Sequence, residues 1–303
     1  MQTVQRIKGS GLRMYQVEPG FAAQTLGVFR LACIAAYEDN CLGIAKGAAY
    51  SALLSFFPVL TTLTALLVQA NAESVSRVLS RILSEVAPPG TQDLLQIYLS
   101  LQGKRPVTLL VVASLVSVWA ASGVMMTLMD GFQAAYRVPA GRPFLKQRAV
   151  AAILVLCTVA PLVAGSTLIL FGSRAEAVLN SSLGFGSDVM ALKSWVVVLG
   201  RLARYSLAFL SIVMAAALLY RIGPNRTVRL WSVWPGSVVA ALLWSGATMV
   251  FGWYVRNIAN YNVLYGSVGA VIALLVWMYV LAVVSLIGCE YNAVWERLEV
   301  KSF

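Results

Sequence analysis

Six long apolar stretches, broken by very few charges, decide what this chain can become. They are Ile44–Ala70, Val107–Met129, Ala149–Phe171, Trp195–Tyr220, Trp234–Val255 and Gly266–Ile287. A bilayer core of about 30 Å takes roughly 20 apolar residues in a helix. In lipid a helix satisfies its own backbone polar groups. The pattern therefore predicts an all-α polytopic membrane bundle with six transmembrane helices. Hydrophobic residues make up 59% and charged residues 12% of 303. Six spans and their connections use nearly all of that length, so no stretch is left to bury a water-soluble core of its own. The expectation is one membrane domain over 44–292, preceded by an N-terminal segment over 1–43 and followed by a tail over 293–303.

The net charge of +11 fits cytoplasmic loops held at an anionic leaflet. It forms no Lys/Arg block of the kind that binds nucleic acid. With the N-terminus inside, the inner segments hold Arg6, Lys8, Arg13, Arg30, Lys46, Arg137, Arg142, Lys146, Arg148, Arg221, Arg226, Arg229, Arg297 and Lys301. The outer ones hold Arg77, Arg81, Lys104, Arg105, Arg174, Lys193 and Arg256. The excess predicts cytoplasmic termini. The first outer connection, with four of these charges, is the weak point of that assignment.

Met1–Gly20 is polar and lacks a secretory h-region. Phe21–Tyr37 is apolar but carries Gln24 and Arg30 and is short for a span. It reads as an interfacial helix, with a seventh span as the alternative. In the first outer connection Val75, Val78, Leu79, Ile82, Leu83 and Val86 follow a helical period. Pro88-Pro89-Gly90 stops that helix, and Thr91 can cap a second one. Two outer amphipathic helices are expected over about 73–102. A flexible turn is expected near Asn180–Asp188, which holds Gly184 and Gly186.

Three groups of residues carry functional expectations. Gly43, Gly47, Ser51 and Ser55 recur every four residues along the first span, followed by Pro58. A small-residue ridge lets another helix approach closely, and the proline removes a backbone donor at a kink or hinge. Arg201 and Arg204 share a helical face, roughly 9 and 13 Å below the outer end of the fourth span. They either snorkel to headgroups or hold an anionic phosphate or carboxylate. Lys46, Asp130, Arg148, Arg221 and Glu290 fall near inner helix ends. There they form an expected ion-pair cluster that locks helices together. Trp119, Tyr136, Trp231, Trp234, Trp253, Tyr254 and Trp277 read mostly as an aromatic belt at span ends.

What is absent also bears on function. The chain has no histidine, which removes His bases, His triads and H-E-x-x-H zinc sites. Cys33, Cys41, Cys157 and Cys289 form no C-x-x-C pair and read as free thiols. No phosphate-binding G-x-x-x-x-G-K-[ST] loop and no G-x-G-x-x-G occurs. No catalytic residue, metal or cofactor is expected.

Several local motifs resemble one family. They are Ala48-Ala49-Tyr50-Ser51-Ala52-Leu53-Leu54-Ser55-Phe56-Phe57-Pro58, Trp119-Ala120-Ala121-Ser122-Gly123, Ala135-Tyr136, Arg142-Pro143-Phe144 with Arg148, and Tyr220-Arg221 with Pro224-Asn225. Pro235-Gly236 with Trp244, Tyr261-Asn262, Tyr265-Gly266-Ser267-Val268-Gly269-Ala270, Trp277-Met278-Tyr279 and Gly288-Cys289-Glu290-Tyr291-Asn292-Ala293 complete the set. In order and spacing, from about Tyr37 to Arg297, the chain resembles the YihY/BrkB family of bacterial inner-membrane proteins. Gln133, Cys289 and Tyr291 depart from its common pattern in conservative ways. The resemblance implies six membrane helices with cytoplasmic ends, a multi-pass inner-membrane location and a role in envelope integrity or virulence. It also brings an old ribonuclease BN label, which the lack of histidine argues against.

These lines converge on a transporter of an anionic lipid or amphiphile without its own ATPase, in which Arg201 and Arg204 engage the headgroup. The alternative is a non-transporting scaffold for envelope proteins. Membrane lipids are the expected partners, nucleic acid is not, and the sequence leaves the oligomeric state open.

Overall fold

A computed structural model of the chain describes residues 21–69, 107–139, 141–182, 190–257 and 266–299. Among them every regular element is a helix: α1 (Phe21–Glu38), α2 (Cys41–Gln69), α3 (Val107–Ala135), α4 (Phe144–Ser182), α5 (Met190–Ile222), α6 (Leu230–Asn257) and α7 (Gly266–Glu299). Helices α2 to α7 are long and apolar enough to cross a bilayer, and α1 is not one of these six. The fold is the expected all-α membrane bundle with six spans. The segment before Phe21, the amphipathic pair over about 73–102 and residues 183–189 of the expected turn lie outside the described residues. Asn180 still belongs to α4.

Each span packs on its neighbours in sequence, and α7 returns to both α2 and α3, closing a ring. Lipid tails are as apolar as leucine, so small residues and close contacts drive such packing. The buried core is accordingly rich in alanine, with Ala45, Ala48, Ala151, Ala217, Ala240 and Ala282 among its members. It sits toward the end of the bundle that carries α1. Helix α1 buries Val28 and Ala32 against Tyr291 and Val294 of α7. Its opposite face exposes Leu26, Arg30, Ile34 and Tyr37, at the spacing of an amphipathic helix.

Three prolines sit inside spans, and side chains bond to the backbone at or beside two of them. Helix α2 is continuous through Pro58. The Pro58 carbonyl lies 2.6 Å from the Ser117 hydroxyl of α3, which the Thr62 hydroxyl also contacts at 2.6 Å. In α6 the amide of Asn292, fully buried on α7, bonds to the backbone beside Pro235. Here α6 and α7 cross closely enough that a Cβ added to Gly236 would sit 2.1 Å from the Gly288 carbonyl.

Every span runs beyond its apolar stretch at the α1 end, and α7 extends furthest. The tail expected over 293–303 therefore starts as the last turns of α7. Val294 packs on α1, Glu296 pairs with Arg226, and Arg297 donates to the Ala135 carbonyl. Helix α3 ends in a turn in which Arg137 N–H donates to Ala134 and Val138 N–H to Gln133. Arg137 adopts φ 52° there, the left-handed cap position usually given to glycine.

Candidate functional site

Where the six spans converge they border a half-open cavity of about 210 Å³. Ala48, Leu128, Leu162, Ala216, Trp244 and Met278 line it, one from each span. Its few polar groups are directed at backbone. Thr158 donates to the Leu154 carbonyl at 2.7 Å, Tyr220 to Ser285 at 2.8 Å and Ser285 to Leu281 at 2.9 Å. What remains is an apolar surface. It suits an acyl segment and disfavours a charged solute, which would lose its hydration there.

A polar layer closes the bundle at the α1 end. Arg142, from the α3–α4 connection, forks onto the last carbonyls of α5, reaching Gly223 at 3.0 Å and Ile222 at 2.9 Å. A cation at a helix C-terminus satisfies orphan carbonyls and opposes the helix dipole. Burial lowers the Arg142 pKa below its usual value. The Arg226 guanidinium lies 4.7 Å from the centre of the Tyr136 ring. Burial, then the neighbouring Cys289 and Glu296, push the Tyr136 phenol above its usual range.

The five residues expected as an ion-pair cluster do not pair with one another. Among the described residues the one ion pair is Arg226–Glu296. Asp130 instead accepts from Gln147 at 2.7 Å. Glu290 is fully buried, faces Asp39 in the α1–α2 turn and accepts from the Cys41 thiol at 3.8 Å. Lys46 and Arg221 are exposed. Arg148 turns into the seam between α3 and α4, where its Nη2 donates to the Trp119 carbonyl at 2.7 Å. Asp130 and Glu290 lie on different seams, and the Arg148 guanidinium turns away from both along α3, so these charges do not meet.

The remaining expected residues are scattered. A Cβ on Gly47 would lie 3.3 Å from Thr127 of α3, and one on Gly123 would lie 3.9 Å from Ser51. Gly43 sits against the Asn40 side chain, and Ser55 is buried and donates to the Ala52 carbonyl at 2.9 Å. Arg201 is exposed about a third of the way along α5 from Met190. Arg204 is half-buried, with its guanidinium 5.6 Å from the Tyr205 ring centre. Neither arginine lines the cavity. The four cysteines are free thiols.

Comparison with known proteins places this architecture. The family model described as virulence factor BrkB matches residues 33–302. The chain belongs to the BrkB family. A BrkB relative from Bacillus subtilis, named as ribonuclease-like protein YfkH, is 29% identical across 82% of this chain and 88% of its own length. UPF0761 membrane proteins are similar too. That of Chromobacterium violaceum is 24% identical over 95% of this chain, and that of Chlorobium phaeobacteroides 29% over 84%. The chain spans 66% and 54% of the length of these two. No solved structure matches it.

The BrkB motifs quoted from the sequence meet in pairs. Trp119 and Gly123 meet Arg148, Arg142 caps the helix that ends after Tyr220-Arg221, and Pro235-Gly236 meets Gly288 and Asn292. Reasoning from sequence missed Asn292, Arg142 and Asp39 as individually placed residues. For Asn292 a signal was present, because it is an amide in a run that is otherwise mostly apolar. For Asp39 there was none, because it and Glu290 lie at opposite ends of the chain.

Proposed function

We propose that this BrkB-family protein binds and moves an anionic, lipid-like amphiphile in the bacterial inner membrane without hydrolysing nucleotide itself. The apolar cavity shared by all six spans carries this reading. It offers an acyl chain a surface that no single helix face provides. Arg201 and Arg204 stand outside it and contact headgroups toward the Met190 end of α5. The hydroxyl-bridged turn at Pro58 supplies the flexibility that passage needs.

The name of the Bacillus relative invites a nuclease reading, which these residues do not favour. The chain has no histidine. Among the described residues no group of three His, Cys, Asp or Glu side chains is placed to hold a metal.

The test is reconstitution in vesicles of phosphatidylethanolamine and phosphatidylglycerol carrying a fluorescent phosphatidylglycerol, with leaflet exchange read by dithionite quenching. The protein should speed exchange above protein-free vesicles. Filling the cavity with Ala216→Leu and Ala282→Leu should slow it at least about tenfold, or about 1.4 kcal/mol in barrier. A protein that moves no lipid is a scaffold, and the transport reading then falls. Equal exchange by the filled variant removes the cavity from the route.

A further inference from the structure

Arg148 points the wrong way for a charge at the end of a span. It lies about one turn into α4, which starts at Phe144, and its stem is long enough to carry the guanidinium back to the headgroups. It turns inward instead. Nη2 donates to the Trp119 carbonyl at 2.7 Å, Nη1 lies 3.3 Å from the Met126 sulfur, and Cζ sits 4.1 Å from the centre of the Trp119 ring. Asp130, exposed and held by Gln147, marks the charged level at the α1 end. Gly123, whose Cβ position lies 3.9 Å from Nη1, is roughly 10 Å further along α3 at about 1.5 Å per residue, inside the apolar span.

The Trp119 ring and carbonyl hold the guanidinium, but among the described residues no anionic group neutralises it. The Trp119 carbonyl also accepts from the Ser122 hydroxyl at 2.7 Å. A thioether is a weak acceptor. Nε is buried without an acceptor, and no carboxylate comes within ion-pair distance of Arg148 among the described residues. An intramembrane arginine in this state is costly unless a partner joins it.

The guanidinium is open on its outer side. Gly123 puts no side chain into the space beside Nη1, and Ser51 of α2 borders the same space. Tyr50 and Leu54 on α2, Trp119 on α3 and Leu145 on α4 are each more than half exposed. The approach to the guanidinium is therefore apolar and faces lipid, which suits a ligand with acyl chains over a free anion. A guanidinium fork matches phosphate oxygens in both charge and spacing. We infer that Arg148, between α2, α3 and α4, receives the phosphate of an anionic membrane lipid. The inference takes its ligand class from the lipid-handling reading above. It concerns binding at equilibrium, so it stands or falls separately from movement.

Native mass spectrometry of the full chain in detergent tests it, with phosphatidylglycerol, phosphatidylcholine or inorganic phosphate added in turn. The wild type should retain phosphatidylglycerol in preference to phosphatidylcholine and should not retain inorganic phosphate. Arg148→Gln should lower phosphatidylglycerol retention about tenfold. Lys46→Gln, which removes an exposed charge elsewhere on α2, should leave it unchanged. Arg148→Lys guards against a folding defect in Arg148→Gln: it keeps the charge, loses the fork, and should lose most of the retention. A role confined to latching α3 to α4 would shift thermal unfolding in these variants without changing lipid preference. Equal retention by the Arg148 variants, an equal loss in Lys46→Gln, no preference for the anionic lipid, or retention of phosphate in place of lipid each overturns the assignment.

Discussion

Asn292 on α7 hydrogen-bonds the backbone of α6 on either side of Pro235. The Gly236 N–H donates to the Asn292 Oδ1 at 2.6 Å, and the Asn292 Nδ2 donates to the Val233 carbonyl at 3.0 Å. Proline removes one donor from the helical ladder, and here a neighbouring side chain adds hydrogen bonds on either side of it, as the membrane interior favours. The same contact fixes the register of two spans, because Gly236 and Gly288 approach each other at this point.

Asn292→Ala should therefore orphan a buried donor and weaken a buried acceptor. At about 1–3 kcal/mol for each such group, a loss of about 2–4 kcal/mol is expected. Cys41 and Cys289 are buried and free, so the release of thiols to a maleimide dye during heating reports the transition. Gly236→Ala should be as damaging, because its Cβ would meet the backbone of α7, which no rotamer change can relieve. Unchanged melting in either variant would show that the crossing is looser than described.

Arg142 makes a second prediction. Its two-pronged contact to the Ile222 and Gly223 carbonyls needs a planar fork, which lysine lacks. Arg142→Lys should cost about 1 kcal/mol and Arg142→Ala about 2 kcal/mol, taking the usual worth of charged hydrogen bonds. Thermal unfolding in one detergent gives the ranking, and equal losses for Lys and Ala would rule out the fork.

Arg137 should show the opposite sign. It holds φ 52° at the end of α3, a conformation that costs an L-residue about 1–2 kcal/mol. Arg137→Gly should raise stability by about 1 kcal/mol after the extra chain entropy of glycine is offset. Arg137→Val should lower it, since β-branching worsens the strain. The difference in melting between the two variants is the measurement.

The six spans were legible because hydropathy reports directly which residues can sit in lipid. Their ends were not: helices such as α3 and α7 run past the apolar stretch, since backbone hydrogen bonding does not stop where hydropathy falls. The candidate site was less legible. Sequence placed Arg148 at the level of Asp130 and suggested a pair, but a helical position sets neither the direction of a long side chain nor the seam it enters. Arg201 and Arg204 drew notice as charges in an apolar run, while the cavity formed from alanines and leucines of six helices that carry no local signal. Glu290 and Asp39 meet only because α7 returns to the start of the bundle.

Cysteine labelling gives a prediction about pH. Cys33 on α1 is half-buried, and burial raises its thiol above the usual value. The thiolate is the reactive form, so Cys33 should label more slowly than a free thiol at neutral pH and accelerate only above the usual thiol range. The sign for stability follows. Unfolding restores an ordinary pKa, so the raised thiol stabilises the fold fully below that value, and the contribution is lost as pH rises through the folded pKa. Peptide mapping after timed labelling separates Cys33 from Cys157, and labelling at the rate of a free thiol would contradict the burial.

Glu290 and Asp39 yield the last prediction. Both are acceptors when ionised, yet they face each other at the junction of α1, α2 and α7. Each has one buried oxygen with no partner, Glu290 Oε2 and Asp39 Oδ2. An amide at either position supplies the missing donor and removes one charge from a buried place. Glu290→Gln keeps an acceptor for the Cys41 thiol and turns an N–H toward Asp39. It should raise stability by about 1 kcal/mol, the net worth of one added hydrogen bond. Asp39→Asn should do the same from the other side. The two changes should not add, because one donor suffices for the contact and residues in contact couple. Glu290→Ala, which leaves a void beside Cys41 and Asp39, should instead destabilise. If Glu290→Gln and Glu290→Ala lower the melting temperature equally, the facing carboxyl groups are not what shapes this junction.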